Sequence, residues 1–253
     1  MVIVQARTGS TRLPNKMLMP FHGGKSVLEI ILSRLSGALG PDAGRLVVAT
    51  TVNPSDGGIA DMCQRLGIKV FRGSEQDVLD RFVQAAHTHG ATRLLRVCAD
   101  NVFLDMHSFR YLYDRMTVTD ADYESFMTSD GTPSIRTHYG FWTEGVTVDA
   151  LERVASMTDE KLYHEHVTNF IYAHPDRFKV GFTPVSQVIP GVEQHGHLRL
   201  TLDTADDFRV QQQLYAHLAD NGLDMTPGEI FRYMDANPGL YGVMQKNIEA
   251  NSK

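Results

Sequence analysis

Apolar residues in the first hundred positions alternate between short continuous runs and runs with helical spacing. Continuous runs of this length are typical of buried strands, and they occur at Val2–Gln5, Leu46–Ala49, Ile68–Phe71 and Arg93–Ala99. Helical spacing between them predicts helices, at Val27–Leu39 (with Ser26 as N-cap), Ile59–Leu66 and Val78–His89. This alternation predicts right-handed βαβ units and therefore an α/β fold, in which helices cover both faces of a mainly parallel sheet in three α/β/α layers.

The pattern is less regular in the second half. Asp, Ser, Thr, Gly and Pro are mixed through Asp120–Tyr139, which predicts a loop or a short excursion from the sheet. Further helices and strands are predicted beyond it, with helices at Val148–Met157, His164–His174, Ala205–Ala219 and Thr226–Ala236, and strands at Phe178–Phe182 and Leu198–Leu202. Because no repeat or linker interrupts the chain, we expect a single domain over residues 1–253.

Composition narrows the class of protein. The chain is 42% hydrophobic and 21% charged, which predicts an ordinary globular core. The formal net charge is -6, so binding of nucleic acid by a broad basic surface is not expected. Cys63 and Cys98 fall within apolar patterns, and two buried thiols fit a reducing cytoplasm better than a disulfide framework. No apolar run reaches the length of a membrane span, so we expect a cytoplasmic protein with no membrane partner.

The loop after the first strand holds the clearest candidate chemistry. Arg7, Arg12 and Lys16 surround a segment that contains Gly9 and Ser10. Small residues expose backbone N–H groups, and cations add charge, so such a loop suits a polyphosphate. The alternative is a solvated basic loop with no ligand.

Two aspartates follow predicted strands. In an open parallel sheet, ligands bind beyond the carboxyl ends of the strands, where Asp100, Asp203 and the segment with Gly73, Ser74 and Asp77 fall. Mg²⁺ commonly takes one or two carboxylates together with phosphate oxygens and water. Asp100 and Asp203 therefore predict a Mg²⁺ site opposite the basic loop, although either residue alone also suits a turn or a helix cap.

Other nucleotide and metal motifs are incomplete. Gly24-Lys25-Ser26 lacks the earlier glycine of a P-loop, because Met19 stands at that position. No Gly-x-Gly-x-x-Gly follows a predicted strand. His164-Glu165-His166 and His195-Gly196-His197 lack the His-x-x-x-His spacing of a helical zinc site.

The segment Gln5–Lys16, which reads Gln-Ala-Arg-Thr-Gly-Ser-Thr-Arg-Leu-Pro-Asn-Lys, resembles the opening signature of the sugar-activating cytidylyltransferases. This is the family of CMP-acylneuraminate and CMP-Kdo synthetases, and the chain is most similar to the branch of spore coat polysaccharide biosynthesis protein F. The resemblance continues in order through Val47–Thr51, Phe71–Phe82, Glu165–Thr168 and Leu198–Thr204.

The resemblance implies a nucleotidyltransferase fold of the glycosyltransferase A type, and transfer of CMP from CTP to a sugar acid or related small anion. An acceptor-binding and dimer-forming excursion would cover about residues 120–185, and the protein would be a homodimer. The roles implied are triphosphate and nucleotide binding by Ala6, Arg7, Gly9, Ser10, Arg12, Lys16, Thr50, Gly73, Ser74 and Asp77. Arg7, Lys16, Asp100 and Asp203 would be catalytic, the two aspartates by holding Mg²⁺.

The chain departs from that branch at the acceptor side. Asn101-Val102 stands where the branch usually has Cys-Pro, and Trp142 replaces an acid in the segment that the branch reads as Gly-Leu-Asp-Val-Glu. The acceptor-binding residues implied are Trp142, Glu144, Glu165 and His166. Trp142 suits core packing as well as substrate stacking. Two other functions stay open: a nucleotide-binding homologue without catalysis, and a glycosyltransferase that uses a nucleotide sugar.

Overall fold

Strands and helices alternate through residues 1–250, the part of the chain that the computed structural model describes. The strands are β1 (Val2–Gln5), β2 (Pro20–His22), β3 (Lys25–Ser26), β4 (Leu46–Thr51), β5 (Lys69–Gly73), β6 (Arg93–Cys98), β7 (Tyr123–Met127), β8 (Glu144–Thr147) and β9 (Val180–Pro184). The helices are α1 (Val27–Leu39), α2 (Gly57–Leu66), α3 (Val78–Thr88), α4 (Met106–Val118), α5 (Val148–Met157), α6 (Lys161–Glu165), α7 (Asn169–Ala173), α8 (Val185–Val188), α9 (Ala205–Asp220), α10 (Pro227–Ala236) and α11 (Pro238–Ala250).

One large sheet organises the molecule. Its strand order is β5-β4-β1-β6-β8-β7-β9, and β8 runs antiparallel to both of its neighbours, while the other pairs are parallel. Val2, Ile3 and Val4 of β1 are fully buried because helices pack on both faces of the sheet. The predicted three-layer, mainly parallel α/β architecture is confirmed.

The first half follows the sequence pattern closely. Ser26 caps α1 through a capping box in which its hydroxyl accepts from Glu29 N and the Glu29 carboxylate accepts from Ser26 N. Gly40, with φ of +55°, ends the same helix in a backbone conformation that favours glycine. The capped start and the glycine end explain why this helix has the predicted bounds.

The predicted strand at Leu198–Leu202 is wrong. This segment is buried, but it does not pair with a neighbouring strand. Its backbone hydrogen bonds go to isolated carbonyls instead: Leu200 N donates to His138 O, and Leu202 N donates to Asp100 O. The segment therefore crosses the end of β6 instead of extending the sheet, and it brings residue 203 beside residue 100.

Three other predictions need correction. The predicted loop Asp120–Tyr139 contains β7, and the predicted helix His164–His174 is two short helices, α6 and α7, that are interrupted at Val167. The β-branched Val167 has φ of +24°, which is incompatible with a continuing helix. β7 and β9, both from the predicted excursion, are strands of the main sheet. None of the helices within 1–250 is long and apolar enough to span a membrane.

Candidate active site

The loop between β1 and β2 is fastened by Asp56, a residue at the start of α2. Thr8 donates to Asp56 Oδ1 from its backbone nitrogen at 2.7 Å and from its hydroxyl at 2.6 Å, and Thr51 Oγ1 donates to Asp56 Oδ2 at 2.5 Å. Burial would raise the pKa of Asp56, but these hydrogen bonds outweigh it and lower the pKa below its usual value. An ionised carboxylate therefore fixes the start of the basic loop.

Lys16, at the other end of this loop, lies between the two predicted metal-binding aspartates. Its ammonium is 3.0 Å from Asp100 Oδ2 and 3.6 Å from Asp203 Oδ1, and it donates to the carbonyl of Leu202 at 2.5 Å. Burial opposes the charge of Lys16, but the two carboxylates raise its pKa overall, so it is a cation at neutral pH. Asp100 and Asp203, which lie 84 and 187 positions further along the chain, thus both contact the Lys16 side chain.

Asp203 is oriented by a fully buried arginine. Arg199 Nη2 donates to Asp203 Oδ2 at 2.9 Å, and Arg199 Nε donates to Asp207 Oδ1 at 2.9 Å. Arg199 Nη1 is 2.7 Å from His138 Nδ1. Because Oδ2 of Asp203 is held in this way, its Oδ1 faces the loop, where Arg12 Nη2 is 3.0 Å away.

Arg12, Lys16, Asp100 and Asp203 line one cleft of about 810 Å³, a size typical of small-molecule sites. Ala6, Arg7, Ser10, Arg12 and Lys16 line it from the loop. The other predicted site residues on its wall are Asp100, Trp142, His166 and Asp203. The predicted basic loop and the two aspartates are therefore brought together.

The donor set suits Mg²⁺ that is shared with phosphates. Among residues 1–250, no group of three or more His, Cys, Asp or Glu could hold a metal ion by itself. Asp100 and Asp203 supply two carboxylates on one cleft, and Mg²⁺ usually completes its shell with phosphate oxygens and water. The residues present fit this kind of ion.

The sequence comparisons agree with this chemistry. The profile of a family described as cytidylyltransferase matches residues 1–221. The chain is also 32% identical to spore coat polysaccharide biosynthesis protein SpsF of Bacillus subtilis, over 93% of this chain and 94% of that protein. The chain belongs to the cytidylyltransferase family.

Solved structures share the fold. A cytidylyltransferase from Leptospira borgpetersenii superposes with a TM-score of 0.80, at 23% identity and 95% coverage of both chains. A CMP:2-keto-3-deoxy-manno-octonic acid synthetase, solved with CTP, has a TM-score of 0.62 at 14% identity and covers 85% of this chain and 98% of its own. The nucleotidyltransferase fold expected from the sequence is confirmed.

Several residues of the predicted nucleotide set lie outside the cleft wall of this cytidylyltransferase. Thr50 is fully buried at the end of β4, and Gly73 ends β5. Ser74 Oγ accepts from Asp77 N, and Asp77 caps α3 through Asp80 N. Gly9 is exposed on the loop and does not line the cleft either. The binding roles of these residues stay predictions.

Helix α6 contacts both halves of the predicted nucleotide set. His164 Nδ1 is 2.7 Å from Asp77 Oδ2, and Glu165 Oε1 is 3.2 Å from Arg7 Nη2. Burial would lower the pKa of His164, but the carbonyl of Thr158 and the carboxylate of Asp77 raise it overall. Glu165, predicted to bind an acceptor, therefore contacts a loop cation instead of the cleft.

Glu144, also predicted to bind an acceptor, is fully buried and does not line the cleft. Its Oε2 accepts from Arg96 Nη1 at 2.6 Å, and its Oε1 accepts from Tyr123 and Thr168 at 2.6 Å and 2.8 Å. In this geometry Glu144 does not reach an acceptor in the cleft, because it has no exposed surface there. Glu144 instead positions Arg96 and Thr168, which do line the cleft.

Trp142 has the core packing that the sequence left open, and its stacking on a substrate stays a prediction. Its ring packs edge-to-face on Tyr139 and Phe141, with 4% of the residue exposed, and it also forms part of the cleft wall. Cys98 needs a correction, because it is partly exposed at the end of β6 and lines the cleft, whereas Cys63 is buried as expected. Burial raises the pKa of the Cys63 thiol to about 11.

Sequence reasoning missed three positioning residues: Asp56, Arg96 and Arg199. A signal existed for the two arginines, because each stands within an otherwise apolar run, Leu94-Leu95-Arg96-Val97 and Leu198-Arg199-Leu200. A charge in a buried run requires a buried partner. The identity of that partner could not be predicted from spacing alone.

Proposed function

We propose that this cytidylyltransferase transfers CMP from CTP to an oxygen of a sugar acid or a related small anion, with Mg²⁺ as cofactor and pyrophosphate as the second product. The observation that carries the proposal is the meeting of Arg12 and Lys16 with Asp100 and Asp203 in one cleft. The similarity to SpsF, named for polysaccharide biosynthesis, supports a sugar acceptor. The CTP complex of the octonic acid synthetase supports CTP as donor.

The basic loop would bind the triphosphate. Arg7, Arg12 and Lys16 would neutralise its charge, and backbone N–H groups of Gly9 and Ser10 would donate to its oxygens. Thr50, Gly73, Ser74 and Asp77 would surround the cytidine. Asp100 and Asp203 would hold Mg²⁺, which when bound neutralises charge on the phosphates and on the leaving pyrophosphate.

Lys16 has a second task in this scheme. It lies beside both carboxylates, whose mutual repulsion its charge reduces. The acceptor oxygen attacks the α-phosphorus in line, the bond from that phosphorus to the bridging oxygen of the β-phosphate breaks, and the acceptor proton passes to solvent. Positioning and charge neutralisation carry most of such a transfer, so no strong protein base is needed.

The family resemblance further supports a homodimer that acts in the cytoplasm on the way to a cell-surface polysaccharide or glycoconjugate. In the same proposal, residues 120–185 form the acceptor-binding and dimer-forming part of a single domain. Sedimentation of the purified protein would measure its oligomeric state directly.

Pyrophosphate release tests the reaction. Wild-type protein with CTP, Mg²⁺ and a panel of sugar acids is expected to release pyrophosphate. Asp100→Asn is expected to lower that rate by about 100-fold or more, because loss of metal-assisted charge neutralisation costs several kcal/mol in the transition state. The fold should survive, because the side chain of Asp100 is 28% exposed. Asp114→Asn, on the exposed face of α4, is the matched control.

The possible outcomes separate the alternatives. Unchanged turnover in Asp100→Asn would remove Asp100 from the mechanism. Stabilisation by CTP without pyrophosphate release from any acceptor would favour a nucleotide-binding homologue. Transfer or hydrolysis of a nucleotide sugar, with no use of CTP, would favour a glycosyltransferase.

A further inference from the structure

Some residues of the cleft wall carry a buried polar atom without a hydrogen-bond partner. Within residues 1–250, ten residues carry such a side-chain atom. Four of the ten line the cleft: Arg96 (Nε), Ser134 (Oγ), Trp142 (Nε1) and Thr201 (Oγ1). Buried polar groups without partners are costly in free energy, and in native proteins they commonly await a ligand or water.

The segment 134–142 supplies two of these four residues and also a cation. Arg136 is exposed and lines the cleft, and its guanidinium makes no hydrogen bond or ion pair with any residue of the range 1–250. The other cations of the cleft have carboxylate partners: Arg7 has Glu165, Arg12 has Asp203, Lys16 has Asp100, and Arg96 has Glu144. Arg136 is therefore the cation of the wall with no protein carboxylate to neutralise it.

Tyr172 lies on the same wall, within electrostatic range of both Arg96 and Arg136. Burial and the carboxylate of Glu144 raise the pKa of Tyr172 to about 12, while the charges of Arg96 and Arg136 oppose this rise. Both guanidinium groups thus act electrostatically on one phenol. Because Glu144 pairs with Arg96, Arg136 is the one of these two arginines that has no carboxylate partner within residues 1–250.

Residues 134–142 pack closely against the buried segment Leu198–Leu202. Gly140 has φ of +69°, and a Cβ at that position would lie 2.6 Å from Leu200 O and 3.1 Å from Thr201 N. His138 O accepts a hydrogen bond from Leu200 N, and the Trp142 ring packs edge-to-face against the rings of Tyr139 and Phe141. A recognition surface built on such a segment is pre-organised, which reduces the entropy lost on binding.

We propose that residues 134–142 recognise the acceptor: Arg136 pairs with its acid group, and the ring of Trp142 contacts its less polar face. This inference rests on the proposed function, since it concerns the second substrate of the same reaction. The acceptor class is a small polyhydroxylated acid whose less polar face lies against the indole. An acid gives Arg136 the charge-assisted partner that no protein carboxylate supplies.

The chain contains a built-in probe for this test, because Trp142 is its only tryptophan. Intrinsic fluorescence therefore reports occupancy of the acceptor site without any need for catalysis. N-acetylneuraminate, 3-deoxy-manno-octulosonate and glucuronate would each be titrated, beside the methyl ester of each acid, into wild type, Arg136→Gln and Arg65→Gln. Arg65 is an exposed arginine on α2, outside the cleft wall, and its variant is the matched control.

We expect a saturable fluorescence change with at least one acid in wild type and in Arg65→Gln. In Arg136→Gln the dissociation constant should rise by about tenfold or more, because a charge-assisted pair is lost. The esters should bind the three proteins alike and weakly. Arg136→Lys should recover part of the affinity, since it keeps the charge without the planar fork. Thermal unfolding of each variant checks that the fold is unchanged.

Three results would overturn the inference: wild-type affinity in Arg136→Gln, equal affinity of wild type for an acid and its ester, or no saturable change with any acid. The proposed function is judged separately by pyrophosphate release. If the fluorescence pattern appears but no pyrophosphate is released with CTP and Mg²⁺, the acceptor site stands and the transferase proposal fails. If pyrophosphate is released and Arg136→Gln leaves the acceptor KM unchanged, the acceptor site fails alone.

Discussion

Asp56 shows how a single carboxylate can support a binding loop without touching a ligand. It is 2% exposed, and it accepts hydrogen bonds from Thr8, in the basic loop, and from Thr51, at the end of β4. Hydrogen bonds to a charged group are worth about 1.5 to 3 kcal/mol each. The residue therefore couples the position of the basic loop to the end of a central strand.

Asp56→Asn should destabilise the protein by about 2 kcal/mol at pH 7, because the charged acceptor is lost. The pKa of Asp56 is lowered from the usual 3.8, so its ionised form stabilises the fold fully above that value. This contribution is lost as the pH falls below it. Urea unfolding should therefore show a constant difference between wild type and variant from pH 5 to 7, and a smaller one at pH 3.5.

Asp61→Asn is the control for this prediction, because Asp61 is exposed on α2. It should unfold like wild type at every pH. A difference for Asp56→Asn that does not change with pH would mean that the ionised carboxylate is not what holds the loop.

Residue identity was predictable where chemistry needs a particular side chain at the end of a strand. Arg7, Lys16 and Asp100 fall into this class, and all three line the cleft. Glu144 was assigned to the acceptor from a resemblance, but it is buried behind Arg96. A linear pattern cannot distinguish a carboxylate that faces a ligand from one that orients an arginine, because both occur beside a cleft.

At the scale of single elements, the errors follow from contacts between distant segments. β8 contains Gly145, where a Cβ would lie 2.5 Å from Met116 Sδ of α4, so close helix packing selects a residue with low strand propensity. Leu198–Leu202 has the composition of a strand, yet its hydrogen bonds go to loop and strand-end carbonyls. Helix α4 was also missed, although Phe109, Leu112 and Met116 repeat with helical spacing.

Helix α6 places an acid against the loop that we propose to bind CTP. Glu165 pairs with Arg7 at 3.2 Å, and both side chains are partly exposed, so the pair is worth about 0.2 to 1 kcal/mol. A triphosphate would compete with Glu165 for Arg7. Glu165→Gln should therefore tighten CTP binding by about two- to fivefold, as measured by isothermal titration calorimetry in the presence of Mg²⁺.

Glu160→Gln supplies the comparison for this change, because Glu160 is exposed just before α6 and has no contact with Arg7. Its CTP affinity should equal that of wild type. Weaker CTP binding in Glu165→Gln would instead indicate that Glu165 holds Arg7 in the conformation that binds phosphate.

At the scale of the whole molecule, Asp203 lies in a network of polar contacts that joins distant parts of the chain. Arg12 and Lys16 of the first loop contact Asp203 directly. His138, from the segment before β8, contacts Arg199, and Asn247 of the last helix contacts Asp207, the other carboxylate partner of Arg199. Burial would raise the pKa of Asp207, but Arg199 and Asn247 outweigh it, so this partner of Arg199 is ionised. The family profile ends at residue 221, whereas α11 lies beyond it. The contacts of Lys16, His138 and Asn247 could not be predicted from local patterns, because each joins residues that are 40 or more positions apart.

The side-chain amide of Asn247 allows the contribution of α11 to this network to be measured. Asn247 Nδ2 donates to Asp207 Oδ1 at 3.0 Å and to Thr204 Oγ1 at 3.3 Å. Asn247→Ala should lower the free energy of unfolding by about 1 to 2 kcal/mol, since a buried carboxylate loses a donor. Asp207 and Asp203 share Arg199, so the Mg²⁺ concentration for half-maximal pyrophosphate release should also rise severalfold.

Gln245→Ala, on the exposed face of the same helix, separates this effect from a general loss of helix stability. It should change neither quantity measurably. If Asn247→Ala lowers stability but leaves the Mg²⁺ dependence at the wild-type value, then α11 supports only the packing of α9, and the orientation of Asp203 is set by Arg199 and the basic loop alone. If both quantities change together, a helix outside the family profile takes part in positioning the proposed metal ligand.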